Sequence, residues 1–348
     1  MTRFTWVVPW VLLLIAVLVL TGANDYVLTT AIVAALSGVV AIGLNMLMGY
    51  AGLLNLSVGV FYALGAYGAA KMTVAGTMSP LLILIVMPLA GLVLGALIGI
   101  PILRTRGLHF AVATLGLGLI ITDVLENWLP VTNGPLGIVG ITRPRAFGPI
   151  DPRTNAGFFV LTAIVLALVM MGASFYHRSK VARVLVAVRD DELLTRSLGF
   201  EVPAYKVIAF ALSAALASLA GVLYAWFIQF IAPGPFTFFA ISFPVFVMVA
   251  VGGPGSLWGP LVGASFLTAL PELLHVEAQT KQILYGGILL LAVIFMRRGI
   301  APTASYYANL AFEKLIGRRG STVDAALPPA ARAGEGLSGA SPSDLERV

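Results

Sequence analysis

Long apolar blocks recur along the chain, separated by short polar stretches. Ten of them read as membrane helices, at about 6–21, 28–48, 53–74, 80–102, 108–128, 156–176, 204–230, 238–252, 258–274 and 281–296. A helix needs roughly 20 apolar residues to cross a bilayer, because in lipid each backbone amide must find its partner inside the segment. The eighth block is short and holds Pro244, so a broken or tilted helix is expected there. The first block follows a single Arg and reads as a membrane helix rather than a cleaved signal, since further apolar blocks follow it where a secreted domain would begin. The pattern predicts an all-α, polytopic membrane helix bundle of about ten transmembrane helices. It divides the chain into a transmembrane domain over 1–300 and a tail over 301–348.

Polar positions orient this bundle. With the N-terminus inside, 16 of the 21 Lys and Arg fall on the inner side, and an even number of crossings places both termini there. The outer side then holds Lys71, Arg143, Arg145, Arg153 and Lys281. Two loops are long: 129–155 outside, rich in Pro and Gly, and 177–203 inside, the most charged stretch of the chain. In the tail, residues 304–317 suit an interfacial helix, with Tyr306, Tyr307 and Phe312 near the membrane. From about 321 the composition of Ala, Gly, Pro and Ser cannot bury a core, and disorder is expected.

Composition agrees. The 348 residues are 59% hydrophobic and 10% charged, against about 25% charged in soluble domains. The formal charge of +6 sits mostly in short loops, so membrane orientation explains it better than nucleic-acid binding. With no cysteine, disulfides, thiolate metal sites and cysteine nucleophiles are excluded. His109, His177 and His275 show no metal-ligand spacing. No P-loop, H-E-x-x-H or G-x-S-x-G occurs, and no spaced set of mid-membrane acids suggests a proton relay. If transport is active, its energy enters through another chain. An autonomous secondary transporter and an intramembrane enzyme are the rival classes, and both lack their required residues.

Small residues recur at four-residue spacing at Gly91, Gly95 and Gly99, at Ser213, Ala217 and Gly221, and at Gly259 and Gly263. They let helices approach closely. Polar residues and glycines also interrupt the apolar region from 44 to 67. Irregular chain at that depth has to line a cavity or be covered by protein. Asn45, Asn55, Ser57 and Tyr62 are thus candidate pathway-lining residues, with hydrogen bonding between helices as the plainer reading. Asp123, Glu126 and Asn127, and likewise Glu272, read as interfacial caps.

The inner loop carries the strongest signal. Over 189–200 it reads R-D-D-E-L-L-T-R-S-L-G-F. Asp190, Asp191 and Glu192 at the start of a short helix complement its dipole, and Gly199 ends it. A short amphipathic helix parallel to the membrane suits a groove on a partner. A solvated, orientation-setting loop is the alternative.

Three stretches resemble the LivM-type permease family of branched-chain amino acid ABC importers. They are Asn45–Tyr67, Thr132–Ile138 (T-N-G-P-L-G-I) and Arg189–Leu274, the last including Y-K-V-I-A-F and V-G-G-P-G-S-L-W-G-P-L-V-G-A. The similarity runs over about 25–298. It implies that Arg189, Asp190, Asp191, Glu192, Arg196, Ser197, Leu198 and Gly199 belong to a coupling helix that docks on an ATPase. Leu194 and Thr195 depart from the pair of alanines more usual in that family. The resemblance further implies a bacterial inner-membrane protein with a LivH-like second permease, two LivG/LivF-like ATPases and a periplasmic binding protein as partners. ATP and Mg would bind the ATPases, and no cofactor would bind this chain. Urea and short-amide importers use very similar permeases and share these motifs. The four-helix halves, about 28–128 and 204–296, are candidates for a diverged repeat.

Overall fold

The computed structural model describes residues 24–105, 107–145 and 151–273, together with 280, 283–288 and 290. The expected first helix at 6–21, the interfacial helix at 304–317 and the tail lie outside these residues. Of the expected tenth helix only 283–288 and 290 are described, and they are helical.

Among the described residues, five helices are long and apolar enough to span a membrane: α1 (Asp25–Ala51), α3 (Pro80–Ile102), α4 (Leu108–Asn127), α6 (Asn155–Arg178) and α9 (Val202–Ile228). Local chemistry sets their ends. Gly52, at φ 68°, closes α1 and donates its N–H to the Met48 carbonyl at 3.1 Å. Ser79 Oγ accepts from the Leu82 N–H, with Pro80 at the first helical position of α3. Thr154 Oγ1 likewise accepts from the Gly157 N–H at 3.1 Å to open α6.

Three shorter apolar helices are also described, of which the first departs from its expected span and the second is broken as its proline leads one to expect. Helix α2 (Val58–Val74) begins five residues later than the block at 53–74. Residues 52–57 are unwound, because Asn55 Oδ1 accepts from the Ser57 N–H at 2.9 Å and so competes with the helix ladder. Helix α10 (Phe243–Gly252) is preceded by a π-helical turn at Phe238–Ser242. Pro244 has no N–H to give the Ala240 carbonyl, and the chain widens there, with the Phe243 N–H reaching Phe238 O. Helix α11 (Gly259–Leu273) follows a glycine-rich loop. Between α4 and α6 lies a single helical turn, α5 (Leu129–Thr132). Two short helices, α7 (Lys180–Asp190) and α8 (Glu192–Ser197), sit between α6 and α9.

Helix α9 sits at the centre, packed on α1, α2 and α3; α1 packs also on α6, α10 and α11. The helix α3 shows what kind of solvent surrounds the bundle. Gly91, Gly95 and Gly99 are buried on one face, while Leu81, Leu82, Ile85, Leu89, Val93, Leu97 and Ile100 lie exposed on the other. A Cβ on Gly91 would stand 2.7 Å from Ser218 Cβ, and one on Gly95 2.6 Å from Ala214 Cβ. Small residues face protein and large apolar ones face outward, as lipid-embedded packing requires and water would penalise. The fold is that of a multi-pass helical membrane protein.

Candidate functional site

At one end of the bundle α7 and α8 form a surface element with two ties to the core. Helix α7 is amphipathic: Ala182, Val184, Leu185 and Val188 are buried under it. Val184 and Val188 join Val202 in a small cluster packed by Phe200 and Tyr205. Its last turn carries Arg189, whose Nη1 donates to the Gly49 carbonyl at 2.7 Å. That carbonyl belongs to the last turn of α1, where the helix dipole favours a cation. A Cβ on Gly52 would meet Arg189 Cγ at 2.8 Å, so the glycine leaves room for this side chain.

The expectation of one helix over 189–199 is corrected here. The chain breaks at Asp191, which has extended backbone (φ −152°, ψ 108°) and accepts from the Leu194 N–H through Oδ1 at 2.9 Å. As an N-cap it starts α8 instead of continuing α7. Arg189 and Asp190 therefore finish α7, and Glu192 opens α8. Gly199, at φ 84°, follows α8 as anticipated for a helix end and donates its N–H to Arg196 O at 2.9 Å.

Helix α8 turns two kinds of residue in opposite directions. Thr195 is buried, its hydroxyl bonded to Asp191 O at 2.8 Å. Glu192 accepts from Arg196 at 2.8 Å and from Lys206 at 2.9 Å. Outward stand Leu193, Leu194 and Leu198, exposed by 71%, 58% and 68%. Ser197 is also exposed and bonds back to Leu193 O. Three bare leucines in a charged loop form an apolar patch of the kind that marks an interaction surface.

Asn45 lies next to this element. Its side chain bridges α1 to the loop before α11, donating to Ser256 O at 2.9 Å and accepting from Gly255 N at 2.8 Å. Asn55 and Ser57 bond to each other at 2.8 Å in the unwound stretch. Tyr62 is buried against Tyr224 and Phe236, with ring centroids at 5.4 and 5.8 Å. Asn45 thus bonds across the bundle, and Tyr62 packs within it. Asp123, Glu126 and Asn127 are exposed at the end of α4, and Glu272 accepts from the Tyr26 hydroxyl at 3.0 Å.

The opposite end carries a cationic recess of about 520 Å³ lined by Thr142, Arg143, Arg145, Arg153 and Gln229. Arg143 is built in. It donates to Arg153 O at 3.1 Å and Asn155 Oδ1 at 3.0 Å, and it lies over the rings of Phe158 and Phe227. Burial lowers its pKa from the usual guanidinium value. Ile138 pairs with Ile231 in a two-way backbone bridge (2.8 and 3.1 Å), which ties this loop to the chain just past α9.

The sequence gives Lys206 and Arg143 only a side of the membrane, inner for Lys206 at the start of the block 204–230 and outer for Arg143. Lys206 carried a signal: it is the one charged residue in the 27 of α9. The contacts of Arg143 had no sequence signal.

The fold and this site define a multi-pass helical membrane protein that presents an exposed apolar helix at one end. Residues 26–293 match the family described as branched-chain amino acid transport system / permease component, and the chain belongs to that family. It is 33% identical to the high-affinity branched-chain amino acid transport system permease protein LivM of Escherichia coli (strain K12), over 84% of this chain and 75% of that protein. The ribose import permease protein RbsC of the same strain is 28% identical, over 74% of this chain and 81% of its own. The corresponding permease LivH of Salmonella typhimurium is 22% identical, over 75% and 89%. These relatives are transport permeases, not enzymes. No solved structure matches the chain.

Proposed function

We propose that this chain forms one half of the translocation pathway of an ATP-driven importer for branched-chain or related amino acids in the bacterial inner membrane. Its partners in this reading are a LivH-like second permease, two LivG/LivF-like ATPases that bind ATP and Mg, and a periplasmic binding protein. The observation that carries the reading is the trio of bare leucines on α8 and at its end, set in the most charged loop of a sequence that shows no P-loop. In this reading the α7–α8 end is cytoplasmic, which the excess of Lys and Arg on that side supports, and the chain has about ten crossings, both termini inside, a transmembrane domain over 1–300 and a cytoplasmic tail over 301–348. Closure of the ATPase pair pushes α7 and α8, and packed helices pass the push on as rigid bodies. The shared scaffold of a chain similar to both LivM and RbsC supports leaving solute choice to the binding protein.

Co-expression tests this. With the cognate ATPases and second permease, the chain is expected to co-purify with them and support ATP-dependent uptake in vesicles. Uptake by the lone chain would end the reading.

The outer recess suits an acidic surface on the binding protein. Arg145 and Arg153 are exposed there, on the side where the inside-positive rule disfavours them. Arg145→Glu with Arg153→Glu is expected to raise the binding-protein concentration for half-maximal uptake about tenfold, and to weaken its salt dependence. Unchanged titrations at low and high salt would remove the recess from the docking surface.

A further inference from the structure

Lys206 occupies a place that elementary electrostatics disfavours. It is 4% exposed, and transferring an ammonium out of water is costly. Every other residue of α9 is uncharged, so no side chain of its own helix offsets that cost. What holds it is Glu192, at 2.9 Å, whose other carboxylate oxygen takes Arg196 at 2.8 Å. Buried ion pairs are poor sources of stability, because an apolar side chain of similar volume often does as well.

The pair does something an apolar contact would not. Helix α8 has six residues, too few to hold its own shape. Its charged tie to α9 is the Glu192–Lys206 pair, while α7 has its own anchors: Val184 and Val188 pack on Val202, the first residue of α9, and Arg189 reaches Gly49 O. The break at Asp191 thus separates α7, anchored on the end of α1 and the start of α9, from α8, whose charged link reaches α9 one turn further along.

We infer that Lys206 is the positioning residue that carries displacement of α8 into α9. The inference rests on the docking of α8 proposed above. Lys206 itself touches neither solute nor nucleotide. It makes the leucine-bearing helix and the central helix one body, so that movement imposed on the leucines reaches the packed core.

The test uses the assembled transporter in proteoliposomes, with binding protein and solute present, and reads uptake per ATP hydrolysed. Lys206→Met is expected to lower that ratio about tenfold, as coupling between sites typically allows. Lys206→Arg keeps the charge and is expected to stay within about twofold of the parent. A second measurement does not depend on how well a buried methionine packs. The chain has no cysteine, so Glu192→Cys with Lys206→Cys introduces a unique pair. Unbridged, this variant is expected to be as uncoupled as Lys206→Met; bridged by a short bis-methanethiosulfonate, it regains the ratio. A parental ratio in Lys206→Met, or a bridge that stops transport, overturns the inference. Leu198→Asp separates the two ideas. If it abolishes ATPase association while Lys206→Met stays coupled, only the positioning role falls. If it leaves association intact, the docking of α8 falls as well.

Discussion

Leucine in place of Gly65 is expected to abolish accumulation of folded protein. Helices α2 and α9 cross here with backbone against backbone. A Cβ on Gly65 would be driven into the Ser218 carbonyl, and one on Gly221 into the Tyr62 carbonyl. Neither obstacle is the movable end of a side chain. Relief therefore requires the two helices to part, which strips contacts from Tyr62, Ala66, Ser218 and Val222, all buried. Ordinary overpacking costs roughly 1–3 kcal/mol, and separating a helix pair at the centre of the bundle exceeds that. Gly116→Leu is the matched control, since a Cβ there meets nothing within 4 Å. Size-exclusion profiles and thermal midpoints in detergent would show loss for Gly65→Leu and parental behaviour for Gly116→Leu. A folded Gly65→Leu protein would show that this crossing is looser than described.

Serine at Leu193, Leu194 or Leu198 is expected to spare the subunit and weaken its hold on the ATPases. These side chains are more than half exposed, so removing their apolar surface takes little from the isolated fold. Once covered by a partner, each buried leucine contributes roughly 2 kcal/mol, about thirtyfold in affinity. The triple variant is expected to lose co-purification altogether while keeping the parental thermal midpoint. Charge reversal at Asp190, an exposed residue at the end of α7, is expected to do less. Equal retention of ATPases by the triple variant and the parent would exclude this patch as the docking surface.

The spans were legible where apolar composition alone decides. The blocks expected at 80–102 and 156–176 became Pro80–Ile102 and Asn155–Arg178. They were not legible where one residue redirects the chain. Asn55 delays α2, and Asp191 splits a segment whose charges and glycine had suggested one helix. A cap competes with helix continuation over a small free-energy difference, and tertiary contacts decide it. The same limit applies to the site. The exposed leucines were visible as letters, but which face they occupy depends on Thr195 turning inward. The pairing of Glu192 with Lys206, and of Asn45 with a loop 210 residues away, belongs to three-dimensional packing. Periodicity does not encode such meetings.

Helix α9 has 27 residues and, at 1.5 Å each, runs about 40 Å. One extremity is gripped by Glu192. The other receives the Arg143 guanidinium at the Phe227 carbonyl and lies beside the Ile138–Ile231 bridge. In the importer proposed above, such a rod would link the two faces of the membrane. By thermodynamic reciprocity, any factor that nucleotide binding exerted on capture of the solute carrier, capture would exert on nucleotide binding.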